Sequence, residues 1–287
     1  AGPRCGLVFA RLGADVIKVE PPGRGDESRG NGPFVRGQSA YWVQYNSGKR
    51  SLSLNLRTAK GKEILRDLIE VSDVLIQNFR PGTIDKMGFG YEVISEINPG
   101  IVMVNISAYG QYGPLSDRIG FDQIGQALSG LMSLNGDPNG GPMMVPFPLV
   151  DRITALHGAI SALSALYERS ISGKGQAIDV CLADSGYTTN EIPISAYLGD
   201  GQIPERTGNR VHLADMYETR DGYVYLANFA SDNIFGRVAD VIGHPGWKND
   251  ALVGIHRHVL LIPLDNVGMP LDVCSAWAMA CLARNPK

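Results

Sequence analysis

Cysteine is scarce in this sequence: four residues in 287, at Cys5, Cys181, Cys274 and Cys281, with no CxxC pair among them. That spacing argues against a zinc ribbon or a disulfide framework and leads to the expectation of a reducing, cytoplasmic setting. No uninterrupted apolar run approaches the roughly 18 residues of a spanning helix and no signal peptide is visible, so no membrane partner is expected. Neither GxxxxGKS/T nor a GxGxxG between a strand and a helix occurs, which removes the two common nucleotide fingerprints. A GxSxG elbow is missing as well. Blocks of like charge are also lacking. The formal net charge of −3, from 26 Lys and Arg against 29 Asp and Glu, creates no general field for nucleic acid, so an anionic ligand must be held by local Lys and Arg. His256 and His258 lie in a stretch without partner ligands, so no metal site is expected.

What the sequence does contain is an alternation. Pro3 to Leu12 reads as a helix broken at Gly13, and Asp15 to Glu20 as a strand. Pro21 to Gly48, rich in Gly, Pro, Ser and Arg, reads as a long exposed excursion with a function of its own. Strands are expected at Arg50 to Leu56, Asp73 to Asn78, Gly100 to Ser107 and Gln176 to Cys181. Helices are expected at Thr58 to Val71, Tyr91 to Ile97, Phe121 to Leu134 and Ala183 to Leu198. Short Val- and Ile-rich strands alternating with helices predict an α/β domain with a mostly parallel, Rossmann-like sheet. Ligands then belong beyond the carboxyl ends of the strands, at Glu20, Asn78 and Ser107. Gly199 to Asn209 is a candidate linker. Tyr217 to Leu226 reads as a hairpin turning on Asp221-Gly222, and Ile234 to Ile242 as a helix of a smaller α+β domain. The expected division is 1–198 for the large domain, 199–250 for the linker and part of a small one, and 251–287 for an atypical tail.

The chain is organised around Pro146-Phe147-Pro148-Leu149-Val150-Asp151. Two prolines make an extended approach, and Asp151 then stands where a helix N-cap is expected. Ile153, Leu156, Ile160, Leu163 and Tyr167 recur at spacings of three and four and mark the expected buried face of a helix running to about Ser170, with Gly173 just beyond it. A carboxylate at a helix N-terminus sees unpaired N–H groups and the positive end of the macrodipole, which favours its ionised form. It can be a nucleophile, but on spacing alone the structural cap is the favoured reading. His157 is six residues on, about 240° around the helix at roughly 100° per residue, and so faces away from Asp151. Asn78-Phe79-Arg80-Pro81-Gly82 through Lys86 combines a strand-to-helix turn, an aromatic ring and two cations, which suits an adenine and a phosphate.

Ala1-Gly2-Pro3, Leu12-Gly13-Ala14-Asp15-Val16-Ile17-Lys18-Val19-Glu20-Pro21-Pro22-Gly23 and Gly25-Asp26 closely resemble the opening motif of the family III CoA-transferases, the group of formyl-CoA transferase and L-carnitine CoA-transferase. The resemblance continues through Lys49 to Leu56, Asn78 to Gly82, Met87 to Tyr91, Gly110 to Pro114, Gly120-Phe121-Asp122 and Gly173 to Gln176, and spans most of residues 1 to 250 in order. It implies that Asp151 is the nucleophile of a covalent CoA transfer. A mixed anhydride with the donor acyl group would come first, then an aspartyl-CoA thioester, then attack by an acceptor carboxylate. It places CoA contacts on Ala1, Leu54, Arg57, Asn78, Phe79, Arg80, Lys86 and Arg118. Acyl-CoA and a small carboxylic acid are the implied partners, with CoA thioester as substrate and no permanently bound cofactor. An interlocked homodimer is implied too. Racemases of the same fold group pair the matching aspartate with a histidine in Gly-His-Asp, but Phe121 stands there in this chain and cannot transfer a proton, which favours the transferase. A noncatalytic CoA-binding fragment is the third reading, because the family's first strand is not present ahead of Ala1 and 251–287 does not resemble the family's small domain. The expectation is a chain truncated or frame-shifted at its ends.

Overall fold

A computed structural model of the chain describes residues 1–208, 215–226, 232–241 and 243–246. These fall into two compact units, one made of residues 1–135 and 142–204, the other of 136–141 with the described part of 205–287.

The first unit is a three-layer α/β arrangement. Helix α1 (Gly2–Arg11) leads into β1 (Ile17–Glu20). The small hairpin β2 (Phe34–Val35) and β3 (Gln38–Ser39) follows, then α2 (Ala40–Asn46), β4 (Arg50–Ser53), α3 (Ala59–Glu70) and β5 (Val74–Gln77). After α4 (Thr83–Lys86) and α5 (Tyr91–Ile97) come β6 (Val102–Ser107), α6 (Asp122–Leu128), α7 (Leu131–Leu134), α8 (Leu149–Ser172), β7 (Ala177–Cys181), α9 (Leu182–Tyr187) and α10 (Glu191–Asp200). β1 pairs in parallel with β4, and β5, β6 and β7 form a parallel sheet in that order.

β6 is buried along its whole length. Because side chains alternate across a strand, it serves two cores. Val102, Val104 and Ile106 meet Cys5 and Phe9 of α1 and the alanines of α8, while Met103 joins Leu65, Ile69, Phe89 and Ile94 on the other face. This double burial is why β6 reads as a continuous apolar run rather than an alternation.

Three expectations change here. The buried face of α8 is not the Leu/Ile/Tyr stripe: Leu156, Ile160, Leu163 and Tyr167 are exposed, and Thr154, Ala155, Gly158, Ala159, Ala162 and Ala165 are buried. The reason is close approach. A β-carbon on Gly158 would lie 3.3 Å from Val104 Cγ1 and 3.4 Å from Cys5 Sγ, so only small residues let α8 lie this near to β6 and α1. By length, 24 residues, and mean hydropathy, 1.2, α8 could cross a membrane, yet its small-residue face makes it the core helix of the unit. Second, residues 21–48 are largely exposed, as expected, but carry more secondary structure than a loop. They fold into a 3-10 turn, a hairpin and α2, with Ser39 and Asn46 buried. Third, Phe121 to Leu134 is two helices, parted at Gly130, whose φ of 80° is left-handed; Ala183 to Leu198 likewise divides between α9 and α10.

In the second unit β8 (Asp215–Thr219) and β9 (Gly222–Leu226) form the expected antiparallel hairpin, and α11 (Asp232–Val241) follows. The guanidinium of Arg206 donates to the carbonyls of Asp137, Gly140 and Gly141 at 3.1, 2.6 and 2.7 Å, which fastens the 136–141 turn into this unit. Ile242, Asn209, His256, His258, Cys274, Cys281 and the tail 251–287 lie outside the described residues.

Candidate active site

α8 begins at Leu149, with Pro148 at the N-cap and Asp151 in the first turn. Asp151 is therefore not the cap that the sequence suggests. The capping oxygen comes from another element. The Asp151 amide donates to Asp122 Oδ1 at 2.9 Å, and Asp122, at the start of α6, is buried. Its other oxygen accepts from Gln126 Nε2 at 2.7 Å, and Gln126 Oε1 accepts from the Val145 amide at 2.8 Å. One buried Asp–Gln pair thus satisfies a free N–H of α8 and holds the strand of chain that leads into it. With an amide already capped from outside, the carboxylate of Asp151 is left for other work.

That carboxylate is 28% exposed, and its Oδ1 lies 3.3 Å from the Ala1 nitrogen. Among the described residues it makes no ion pair with a Lys or Arg side chain. It opens into a cavity of about 140 Å³ within the first unit, walled by the first turn of α1, by Asp26, Ser28 and Asn31, and by Tyr41 and Tyr45 of α2. The two tyrosine rings are 4.8 Å apart and tilted by 54°. Burial, with Tyr45 and Asp151 nearby, pushes the Tyr41 hydroxyl above its ordinary value, so at neutral pH it remains a donor facing the cavity.

The cavity wall is braced from below. Glu20, only 3% exposed at the end of β1, receives Arg29 Nε at 2.7 Å and Nη2 at 2.8 Å, the Asp26 amide at 2.9 Å and Ser51 Oγ at 3.0 Å. The Arg29 hydrogen bond is the main reason the Glu20 carboxyl falls to about 2. Arg29 also lies 3.7 Å from the centroid of the Trp42 ring, which joins the loop to α2. Burial pushes Asp26 upward, but hydrogen bonds from Lys18 and Ser28 outweigh it and bring its carboxyl to about 2. Lys49 donates to the Pro3 carbonyl at 2.6 Å and to Asn46 Oδ1 at 2.8 Å, which ties α1 to α2; burial lowers its ammonium to about 8.

The strand ends converge as parallel-sheet geometry requires. Asn78, just past β5, accepts from the Gly2 amide at 2.8 Å and donates to the Ile106 carbonyl at 2.9 Å. A β-carbon on Gly2 would stand 2.8 Å from Asn78 Cβ, so glycine is what lets α1 start here, with Ala1 over Asp151. Phe79 is exposed beside Asn78, and Arg80 and Lys86 are exposed on the following turn and α4. Arg57 and Arg118 are exposed too. Among the described residues none of these four cations forms an ion pair. Leu54 differs, being buried in the core with Ile84 and Phe89. His157 hydrogen-bonds Ser185 Oγ at 3.1 Å, away from the cavity, and Phe121 is 70% exposed at the N-cap of α6. Burial holds the thiols of Cys5 and Cys181 up at about 12 and about 11, which keeps both protonated and unreactive at neutral pH.

The sequence reading did not single out Asp122, Gln126, Arg4, Tyr41 or Tyr45. Asp122 stood in view inside Gly120-Phe121-Asp122, but nothing local marks an aspartate that caps a helix beginning 27 residues later. Arg4 follows directly on Ala1-Gly2-Pro3 and was legible only as one more cation.

Fold and cavity define an α/β unit with a carboxylate on the wall of its cavity. The family model for CoA-transferase family III matches residues 1–257, and the chain belongs to that family. It is 36% identical over 261 residues to the succinyl-CoA–D-citramalate CoA-transferase of Chloroflexus aurantiacus, covering 90% of this chain and 65% of that protein. To the human succinyl-CoA:glutarate CoA-transferase it is 35% identical over 286 residues, covering 96% of this chain and 65% of that one. The chain thus spans about two thirds of the length of these relatives. The crystal structure of a CAIB/BAIF family protein from Brucella suis superposes with a TM-score of 0.78 at 36% identity, over 88% of this chain and 69% of that one.

Proposed function

We propose that this protein is a CoA-transferase that moves CoA from an acyl-CoA donor to a carboxylic acid acceptor through covalent intermediates on Asp151. The carrying observation is a carboxylate in the first turn of α8, capped by Asp122 through its backbone alone and open to a cavity on its side-chain end. An oxygen of Asp151 attacks the thioester carbon of the donor, the C–S bond breaks, and a mixed anhydride and CoA thiolate result. The thiolate then attacks the Asp151 acyl carbon and releases the donor acid as its carboxylate, leaving an aspartyl-CoA thioester. An acceptor carboxylate repeats these two steps in reverse order and leaves as a new thioester. The place of Asp151 in the first turn of α8 serves to orient the carboxylate toward the cavity.

For the CoA itself we propose contacts at Ala1, Leu54, Arg57, Asn78, Phe79, Arg80, Lys86 and Arg118. Free cations suit phosphates, and the exposed ring of Phe79 suits a base. Leu54 can contribute only through its main chain or by shaping the wall, since its side chain is in the core. The relatives' names carry succinate, glutarate and citramalate as acids, and we assign this chain a small carboxylic acid of that kind. We further propose a cytoplasmic homodimer.

The test is a panel of acyl-CoA donors and acids with mass spectrometry of the trapped protein. Transfer between acids, with an adduct on Asp151 that Asp151→Asn abolishes, supports the reading. Exchange of an α-hydrogen for deuterium without transfer would point instead to racemase chemistry, and CoA binding with neither activity to a noncatalytic fragment.

A further inference from the structure

Arg4 lies in the first turn of α1 and lines the same cavity as Asp151. Its Nε is buried and has no hydrogen-bond partner, and among the described residues no carboxylate pairs with its guanidinium. A buried donor without a partner opposes folding, so such a group persists where something fills it. Two other polar groups on the wall are already engaged. Asp26 is bound by Lys18 and Ser28, and the Asn31 carbonyl accepts from Ser39. Arg152, the second cation on the wall, is exposed and lies 5.2 Å from the Phe147 ring centroid. Arg4 is therefore the half-buried cation of the cavity with donors to spare.

Resting on the CoA-transfer reading, we infer that Arg4 determines acceptor specificity by receiving the remote carboxylate of a dicarboxylic acid while the acid's other carboxylate reaches Asp151. A guanidinium offers two parallel N–H groups to a carboxylate and keeps its charge at every working pH. A monocarboxylic acid of equal length leaves those donors unsatisfied, so the site discriminates by what the wrong acid fails to supply. The reacting end loses no generality. Its oxygen attacks the acyl carbon of the aspartyl-CoA thioester, the C–S bond breaks, and the CoA thiolate then attacks the acid's own carbonyl carbon and frees Asp151. The remote carboxylate is unchanged throughout and serves to hold the acid in line.

The experiment compares succinate and glutarate with butyrate and valerate as acceptors, using a panel of acyl-CoA donors, for the full chain and for Arg4→Gln and Arg4→Lys. Adduct formation on Asp151 is followed in parallel by mass spectrometry, and each variant's thermal midpoint is measured. The expected result is a wild-type preference for the dicarboxylic acids whose kcat/KM ratio over the monocarboxylic acids falls about 10- to 100-fold in Arg4→Gln, the size of one charge-assisted pair. The loss should appear chiefly in KM, with Arg4→Lys between the two. Adducts and transfer that persist with an unchanged ratio in both variants overturn the role of Arg4 and leave the transferase reading intact. No adduct from any donor and no transfer to any acid in the wild type overturns both.

Discussion

The backbone N–H of Asp151 donates to the carboxylate of Asp122 at 2.9 Å, across 29 residues of sequence. The relation separates two jobs that a single aspartate at a helix start could have held. Asp122 caps the helix and Asp151 faces the cavity.

Asp122 should accordingly act as a positioning residue. In Asp122→Asn one oxygen can still accept from Asp151, but the new amide meets the Gln126 amide, whose own oxygen is committed to Val145. The expected cost is about 1–3 kcal/mol of stability, because a buried donor is left unpaired. Aspartyl loading should slow by about tenfold to a hundredfold through displacement of α8's first turn. Chemical denaturation and the rate of adduct formation check the two separately. A stable variant with undiminished loading would show that the cap does not position Asp151.

Glu20 makes the cavity wall sensitive to acid. Its carboxyl is held down to about 2, against an ordinary value near 4.5, chiefly by the hydrogen bond from Arg29. A carboxyl whose pKa is lower in the folded than in the unfolded state contributes stability above the unfolded value, and that contribution is lost as pH falls toward the folded one. Stability should therefore hold steady above about pH 5 and decline between about pH 4.5 and 2. Glu20→Gln should flatten that decline and lower stability at neutral pH by about 1–3 kcal/mol, since Arg29 loses a charged acceptor. Urea midpoints across this pH range decide it, and an unaltered acid limb in Glu20→Gln would assign the decline elsewhere.

How far the sequence reveals the fold depends on which residues carry the information. The strands were legible because double burial leaves runs such as Val102-Met103-Val104-Asn105-Ile106, and the hairpin because Asp221-Gly222 fits its turn. The packing of α8 was not. Hydrophobic periodicity follows the large side chains, whereas here closeness to β6 selects Ala155, Gly158, Ala159 and Ala162. The ordered parts of residues 21–48 escape the sequence for a related reason. Their anchors are polar, Glu20, Arg29, Ser39 and Asn46, and polarity reads as exposure until the partners are known. Asp151 was found from its place after two prolines; its relation to Asp122 needed the fold.

Gly158 tests the closeness of α8 directly. Alanine there gains helix propensity of about 1 kcal/mol over glycine but places its methyl 3.3 Å from Val104 Cγ1, so the two effects should nearly cancel. Valine adds two methyls to the same gap and should destabilise by about 1–3 kcal/mol through overpacking. Thermal midpoints of the pair measure the contact. Equal stability of Gly158→Ala and Gly158→Val would mean that the layer yields more easily than its geometry suggests.

The opposite face of α8 carries Leu156, Ile160, Leu163, Tyr167 and Ile171, each between 44% and 74% exposed. Successive spacings of four, three, four and four keep these side chains within one narrow stripe, about 22 Å long at 1.5 Å per residue. A stripe of this size on one helix favours burial against another surface, and the proposed homodimer supplies one. Replacing Ile160 and Tyr167 with glutamate adds two like charges per chain to that seam and removes two apolar side chains. Neither belongs to the internal core, so the fold should persist. The dissociation constant should rise about 100-fold or more, as for loss of a central interface anchor. Sedimentation velocity over a concentration series, with circular dichroism as the control, reads this as a shift from dimer to monomer mass in the double variant. A wild-type chain that sediments as a monomer at every concentration sinks the dimer; a double variant that stays dimeric places the interface on another face.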